Sequence, residues 1–207
     1  MSKSPELGVC YYPEHWPEEM WITDAENMIK NGISWVRIAE FAWSRIEPSS
    51  GVFDWNWLDK IVDILGSNGL KIVMCTPTAT PPKWLVDQMP DMVAIDENGQ
   101  TRKFGSRRHY SFSHIGYQKE SQRITKAVAE RYGQNNFVQA WQTDNEFGCH
   151  ETTYSWCLST LREFRIWLEK KYQNIDDLNK SWGNVFWSME YRSFEAVSYT
   201  HLTLTTT

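Results

Sequence analysis

Asp144-Asn145-Glu146 follows directly on the apolar run FVQAW and on Gln142-Thr143, with no loop residue between. A glutamate can give or take a proton or attack a carbon. An asparagine beside it offers both a donor and an acceptor, as a sugar hydroxyl requires. Two carboxyl groups about 5–5.5 Å apart hydrolyse glycosides with retention, one as acid/base and the other as nucleophile. The acid must carry a raised pKa, through burial or a neighbouring carboxylate. The bland alternative is that Asp144 or Asn145 caps the next helix and Glu146 is merely solvated. Position alone leaves both open.

The elements around this cluster alternate. LGVCYY (7–12) reads as a short strand. A helix follows over WPEEMWITDAENMIKNG, with Pro17 at its start, Gly32 at its stop, and Trp21, Ala25, Met28 and Ile29 on one face. ISWVRIAEF (33–41) is a second strand, and a second helix begins near Asp54 with Leu58, Ile61, Val62 and Leu65 facing inward. KIVMCTPT (71–78) is the third strand, Tyr117 to Tyr132 the third helix, FVQAWQT the fourth strand, and Thr153 to Tyr172 a helix that buries Cys157, Leu161, Phe164 and Leu168. Such alternation predicts parallel strands with right-handed crossovers.

Polar residues gather where each strand ends: Tyr12 to His15, Arg37 to Glu40, Thr76 to Thr80, and Asp144 to Glu146. No G-x-G-x-x-G follows the first strand, so a dinucleotide site is unsupported. Chemistry at the C-terminal ends of several strands is the pattern of a (β/α)₈ barrel. A whole barrel takes roughly 250 residues, so the chain, with about four βα units, reads as the N-terminal half of a TIM barrel. The expected domain is 1–197, with the Thr-rich SYTHLTLTTT (198–207) set apart as a non-native or disordered tail. The third connection, from about Thr78 to Gly116, is long, and loops of that length inside a domain are usually functional.

Composition narrows the class. With 207 residues, 41% hydrophobic and 23% charged, the chain is an ordinary globular one. A net charge of −5 argues against a nucleic-acid partner. No run is long and apolar enough for a membrane span, and MSKSPELGV lacks a signal-peptide core, which points to the cytoplasm. Of the four cysteines, Cys10 and Cys75 lie in apolar runs and read as buried, and Cys149 and Cys157 make no C-x-x-C pair. Twelve tryptophans could pack the core or wall a sugar site.

LGVCYYPEHWPEEMW (7–21), VRIAEFAWSRIEP (36–48), TPTATPPKWL (76–85), FGSRRHY (104–110), QTDNEFGCH (142–150), SWGNVFWS (181–188) and YRSF (191–194) occur in order along the chain. Together they resemble glycoside hydrolase family 42, the β-galactosidases built on a clan A (β/α)₈ barrel. The resemblance implies that Glu146 is the acid/base and that Asn145 contacts the galactose 2-hydroxyl. It implies sugar-binding roles for Arg37, which also supports the site, and for Arg107, and a pocket wall at Trp187. An ion pair of Arg37 with Glu40 is the structural alternative, and Arg108 or His109 fits the role of Arg107 equally well. Glu14 and Glu40 are left as scaffolding.

The family's nucleophile is a Glu closing the seventh strand, so none is expected within this chain. The fragment alone is then expected to be inactive and, with open strand edges, prone to aggregate. The implied partners are a small galactoside or oligosaccharide, with the parent a homotrimer. No cofactor is expected. Some relatives hold zinc through four Cys, at positions that here read Ser111, Ser155, Cys157 and Thr160. One thiol of four predicts no metal. The competing functions are another clan A retaining glycosidase, such as an arabinosidase, and a non-catalytic carbohydrate-binding barrel.

Overall fold

A computed structural model describes residues 5–105, 108–149 and 152–198. They fall into two compact units. One comprises the residues up to Pro90 with Lys119–Thr152, the other Asp91–Gln118 with the residues from Thr153 on.

The first unit carries a parallel sheet in the order β1 (Leu7–Cys10), β2 (Ile33–Ile38), β3 (Lys71–Cys75), β4 (Val138–Gln142). Its helices are α1 (Trp21–Lys30), α2 (Trp43–Ile46), α3 (Asn56–Ser67), α4 (Lys83–Gln88) and most of α5 (Ile115–Tyr132). The apolar stripe of α3 behaves as its spacing predicts: Leu58, Ile61, Val62 and Leu65 are buried. Val36, Ile38, Ile72 and Met74 from the sheet are buried too, with Ile124 and Val128 of α5. Each such side chain contributes about 1.5–3 kcal/mol on leaving water. Beneath α2 the fully buried Glu47 accepts from Trp43 Nε1 at 2.9 Å, Gly51 N at 2.7 Å and Arg123 Nη2 at 2.9 Å. Its charge is thereby paired and bonded, as a buried carboxylate must be.

Two expectations need correction here, and the tryptophans divide between core and surface. Cys10 is exposed, because β1 is an outer strand of the sheet, whereas Cys75 on the inner strand β3 is buried. Ile29 is exposed, so α1 is anchored by Trp21 and Ala25. Trp21, Trp43 and Trp57 are core residues, while Trp16, Trp141, Trp167 and Trp187 keep large exposed faces.

In the second unit α6 runs Leu158–Tyr172, starting five residues later than the sequence suggests and ending where it suggests. The residues before it are held outside the helix: Trp156 N donates to Ile95 O at 2.8 Å and Ile95 N to Ser155 Oγ at 3.1 Å. Leu161 is accordingly only half-buried. A further helix, α7 (Ile175–Trp182), is capped by Asn174, whose side chain accepts from Asp177 N at 2.8 Å, and closed by Gly183 at φ 69°. Leu168, Leu178, Phe194 and Val197 form this unit's core, with Phe164, Tyr172 and Trp182 against it. DENGQT (96–101) is a turn: Asp96 Oδ1 accepts from Asn98 N and Gln100 N at 2.9 and 2.8 Å. Among the described residues no helix is long and apolar enough to cross a membrane. The tail from 199 onward lies outside the described residues.

Candidate active site

The C-terminal ends of β2, β3 and β4 are linked by side chains as well as by backbone, where Thr76 N donates to Gln142 O at 2.9 Å. Parallel pairing sets Arg37 beside Val73, Val73 beside Ala140, and Cys75 beside Gln142. Val138, Ala140 and Gln142 therefore share one face of β4, and Gln142 is its polar last member. From β2, Arg37 Nη1 reaches Gln142 Oε1 at 2.8 Å. Its Nη2 donates to Glu40 Oε1, also at 2.8 Å. Glu40 is fully buried. It is brought back to Arg37 by a sharp turn at Ala39, whose φ of 74° a side chain rarely adopts. The Arg37–Glu40 ion pair is thus present, and Arg37 reaches a second element as well.

The turn after β4 is braced from β3. Thr78 Oγ1 donates to Asp144 Oδ2 at 2.7 Å, and Asp144 N donates to Thr76 Oγ1 at 2.8 Å. Asp144 Oδ1 accepts from Asn145 N at 2.7 Å. Asp144 and Glu146 have φ of 55° and 47°, on either side of Asn145. Left-handed backbone costs roughly 1–2 kcal/mol at a residue with a Cβ, more tolerable for Asp than for Glu. Strain of this kind persists where the surroundings over-determine it, often at functional sites. Asn145 is buried and Glu146 exposed.

Electrostatically the strand ends favour proton retention. Burial pushes the Glu14 carboxyl up, and the charge of Glu40 adds to it. Burial, then Glu40, raises the hydroxyl of Tyr12, whose ring stacks on Phe41 with centroids 5.9 Å apart. Burial and Glu40 also raise the Cys75 thiol. Burial pulls the Arg37 guanidinium down, but Glu40 more than offsets this and holds it charged.

Arg107 falls outside the described residues. Its neighbours Arg108 and His109 are buried in the second unit. The Arg108 guanidinium lies 5.7 Å from the Phe112 ring centre, and His109 is edge-on to Phe104 and Tyr110. Trp187, also in the second unit, is 79% exposed at φ 60°, edge-on to Phe186. Sequence reasoning missed Gln142 and Thr78 as organisers. The available signal was a polar residue closing an otherwise apolar strand face.

The positions compared with a zinc site do converge. Ser111 Oγ lies 3.0 Å from Thr160 Oγ1, Cys157 Sγ lies 3.3 Å from Thr160 Oγ1, and Ser155 Oγ accepts from Cys157 N at 3.4 Å. Three hydroxyls and one thiol, bonded to one another, do not fit zinc, which needs four strong ligands. Among the described residues no three His, Cys, Asp or Glu side chains gather as a metal site.

Parallel strands, helical crossovers and polar groups at the C-terminal strand ends define the N-terminal part of a (β/α)₈ barrel. Known proteins give this class a family. The profile of the beta-galactosidase family, glycoside hydrolase family 42, matches residues 10–206, into the segment that the sequence set apart as a tail. The chain belongs to that family. It is 52% identical over 198 residues to a beta-galactosidase of Thermus thermophilus, covering 96% of this chain and 31% of that protein. The crystal structure of the beta-galactosidase from the psychrophilic Marinomonas ef1 superposes with a TM-score of 0.92 at 55% identity, over 94% of this chain and 30% of that one. A polyextremophilic beta-galactosidase from Halorubrum lacusprofundi superposes at 0.90 with 49% identity, over 94% and 29%. The chain thus spans about a third of the length of the curated relatives it matches.

Proposed function

We propose that the protein carrying this chain is a retaining β-galactosidase that removes terminal β-D-galactosyl residues from short galactosides. Glu146 is its acid/base. The observation that carries the reading is the turn at the end of β4, where strained backbone braced by Thr76 and Thr78 holds the consecutive residues Asn145 and Glu146. The membership of the chain in a family described as beta-galactosidase supports the substrate class. Asn145 meets the sugar 2-hydroxyl, Arg37 supports the site, and Arg107 and Trp187 add sugar contacts. The nucleophile comes from chain beyond these residues, so the fragment alone is inactive. The parent is a cytoplasmic homotrimer without a cofactor. Residues 1–197 are the catalytic-domain portion and 198–207 a tail.

Glu146 is exposed in this chain. In the full-length enzyme a second carboxylate about 5–5.5 Å away would complete the pair of a retaining glycosidase. The test is Glu146→Gln in the full-length enzyme, assayed on a nitrophenyl β-galactoside with an activated leaving group and on lactose. Turnover of lactose should fall by at least about 10²-fold, the usual worth of general acid–base catalysis, while galactose binding persists. Unchanged turnover would remove Glu146 from the mechanism. Preference for an arabinoside would move the protein to the other clan A class. Binding without any hydrolysis by the wild type would make it a carbohydrate-binding barrel.

A further inference from the structure

The two ends of an Asn or Gln amide are alike in shape and opposite in hydrogen-bonding sense. What such a side chain offers a ligand is therefore decided by its neighbours. Across the ends of β2 and β4 those neighbours form a chain with a direction. Glu40 accepts from Arg37 at 2.8 Å, and Arg37 donates to Gln142 at 2.8 Å. A guanidinium only donates, so the Gln142 atom facing Arg37 must be Oε1. Gln142 Nε2 then faces the other way. It donates to Asp144 O at 2.8 Å and to the Asn145 side chain at 3.2 Å, which uses both of its hydrogens. An amide NH₂ also only donates, so the Asn145 atom facing Gln142 must be Oδ1. Asn145 Nδ2 is what remains, and no described residue accepts from it.

We infer that Gln142 is a positioning residue: with its polarity set by the Arg37–Glu40 pair, it fixes the Asn145 amide so that Nδ2 faces the sugar as a donor. The sugar oxygen meeting Asn145 is then used as an acceptor. The orientation is set before substrate arrives, since every member of the chain is already bonded. Cys75 is part of the same arrangement. It is the fully buried last residue of β3, the strand between Arg37 and Gln142, and its small side chain suits a position that Arg37 must cross. The inference rests on the galactosidase reading for the identity of the ligand, but not for the orientation of the amide.

The experiment uses the full-length enzyme and two galactosides that are not hydrolysed, isopropyl β-thiogalactoside and its 2-deoxy derivative. In the wild type the 2-deoxy compound should bind about tenfold more weakly, the worth of one hydrogen bond. In Gln142→Leu that ratio should fall below about threefold, because Asn145 is no longer held in one orientation. A purely structural role for Gln142 would weaken both compounds alike and leave the ratio intact, which would overturn the proposal. Neutron diffraction on crystals of the wild-type protein reads the amide directly. Deuterium on the Asn145 atom facing Gln142 would overturn the proposal whether or not any galactoside binds. If Gln142→Leu fails to fold, Gln142→Glu keeps the shape and the acceptor for Arg37 but turns an acceptor toward Asn145. The Asn145 amide should then be found reversed, and an unreversed amide overturns the relay. A wild type that binds neither thiogalactoside would instead remove the galactosidase reading, with the neutron result still deciding the relay.

Discussion

Thr78 donates its hydroxyl to Asp144 at 2.7 Å across 66 residues of sequence, joining the loop after β3 to the turn after β4. Asp144 in turn accepts from the backbone N–H of Asn145 and sits in left-handed backbone. The residue that shapes the turn is therefore bound from a neighbouring strand end, and the turn cannot relax without releasing it.

Thr78→Val keeps the volume and removes the donor. The buried Asp144 carboxylate loses a hydrogen bond, and stability should fall by about 1.5–3 kcal/mol, the usual worth of a bond to a charged group. Urea denaturation of the full-length protein measures it. Galactoside turnover should fall as well, because the turn carrying Asn145 and Glu146 is loosened. An unchanged midpoint and turnover would show that Thr76 alone suffices.

Gly66 lies in α3, where alanine would ordinarily gain about 1 kcal/mol of helix propensity. Here a Cβ would stand 2.0 Å from Phe137 Cγ and 2.4 Å from both Cδ atoms. Gly66→Ala should therefore destabilise by about 1–3 kcal/mol, the cost of overpacking. The double substitution with Phe137→Ala should behave additively worse only if the two residues do not touch. A double variant no less stable than Phe137→Ala alone would confirm the contact, and a neutral Gly66→Ala would refute it.

Cys157 is a pH probe of the second unit. Burial pushes its thiol up, but hydrogen bonds from Ser111, Ser155, Ser159 and Thr160 outweigh that and bring it down to about 6. An unfolded thiol titrates near 8.5, about 2.5 units higher. Between those values the unfolded state holds a proton that the folded state has lost, so stability rises with pH. The contribution is complete above the unfolded value and disappears as pH falls through about 6. The melting-temperature difference between wild type and Cys157→Ala should thus widen from pH 5.5 to pH 8.5. A difference independent of pH would show that the thiol stays protonated.

Strand and helix order was legible in the residues because periodicity is a local property. Leu58, Ile61, Val62 and Leu65 share a face whatever the rest of the chain does, and all are buried. Boundaries were less legible. Thr153 to Cys157 carries no helix breaker, yet it stays out of the helix because Ser155 and Trp156 are bonded to Ile95, far away in sequence. Cys10 and Cys75 sit in similar apolar runs, but only the order of strands decides that one is on an outer strand and the other inside.

The same division holds at the strand ends. The sequence by itself determined which residues could act, because residue types and their places after apolar runs survive any folding detail. It could not orient them. Arg37 could equally have paired only with Glu40, and Gln142 looked like an ordinary strand residue. Tertiary structure brought β2 and β4 to either side of β3, within reach of one guanidinium. Hydrogen-bond direction then follows from contact, since a donor-only group dictates which end of an amide may face it. That information exists in no single segment. It arises only when side chains more than a hundred positions apart in the chain meet at 2.8 Å.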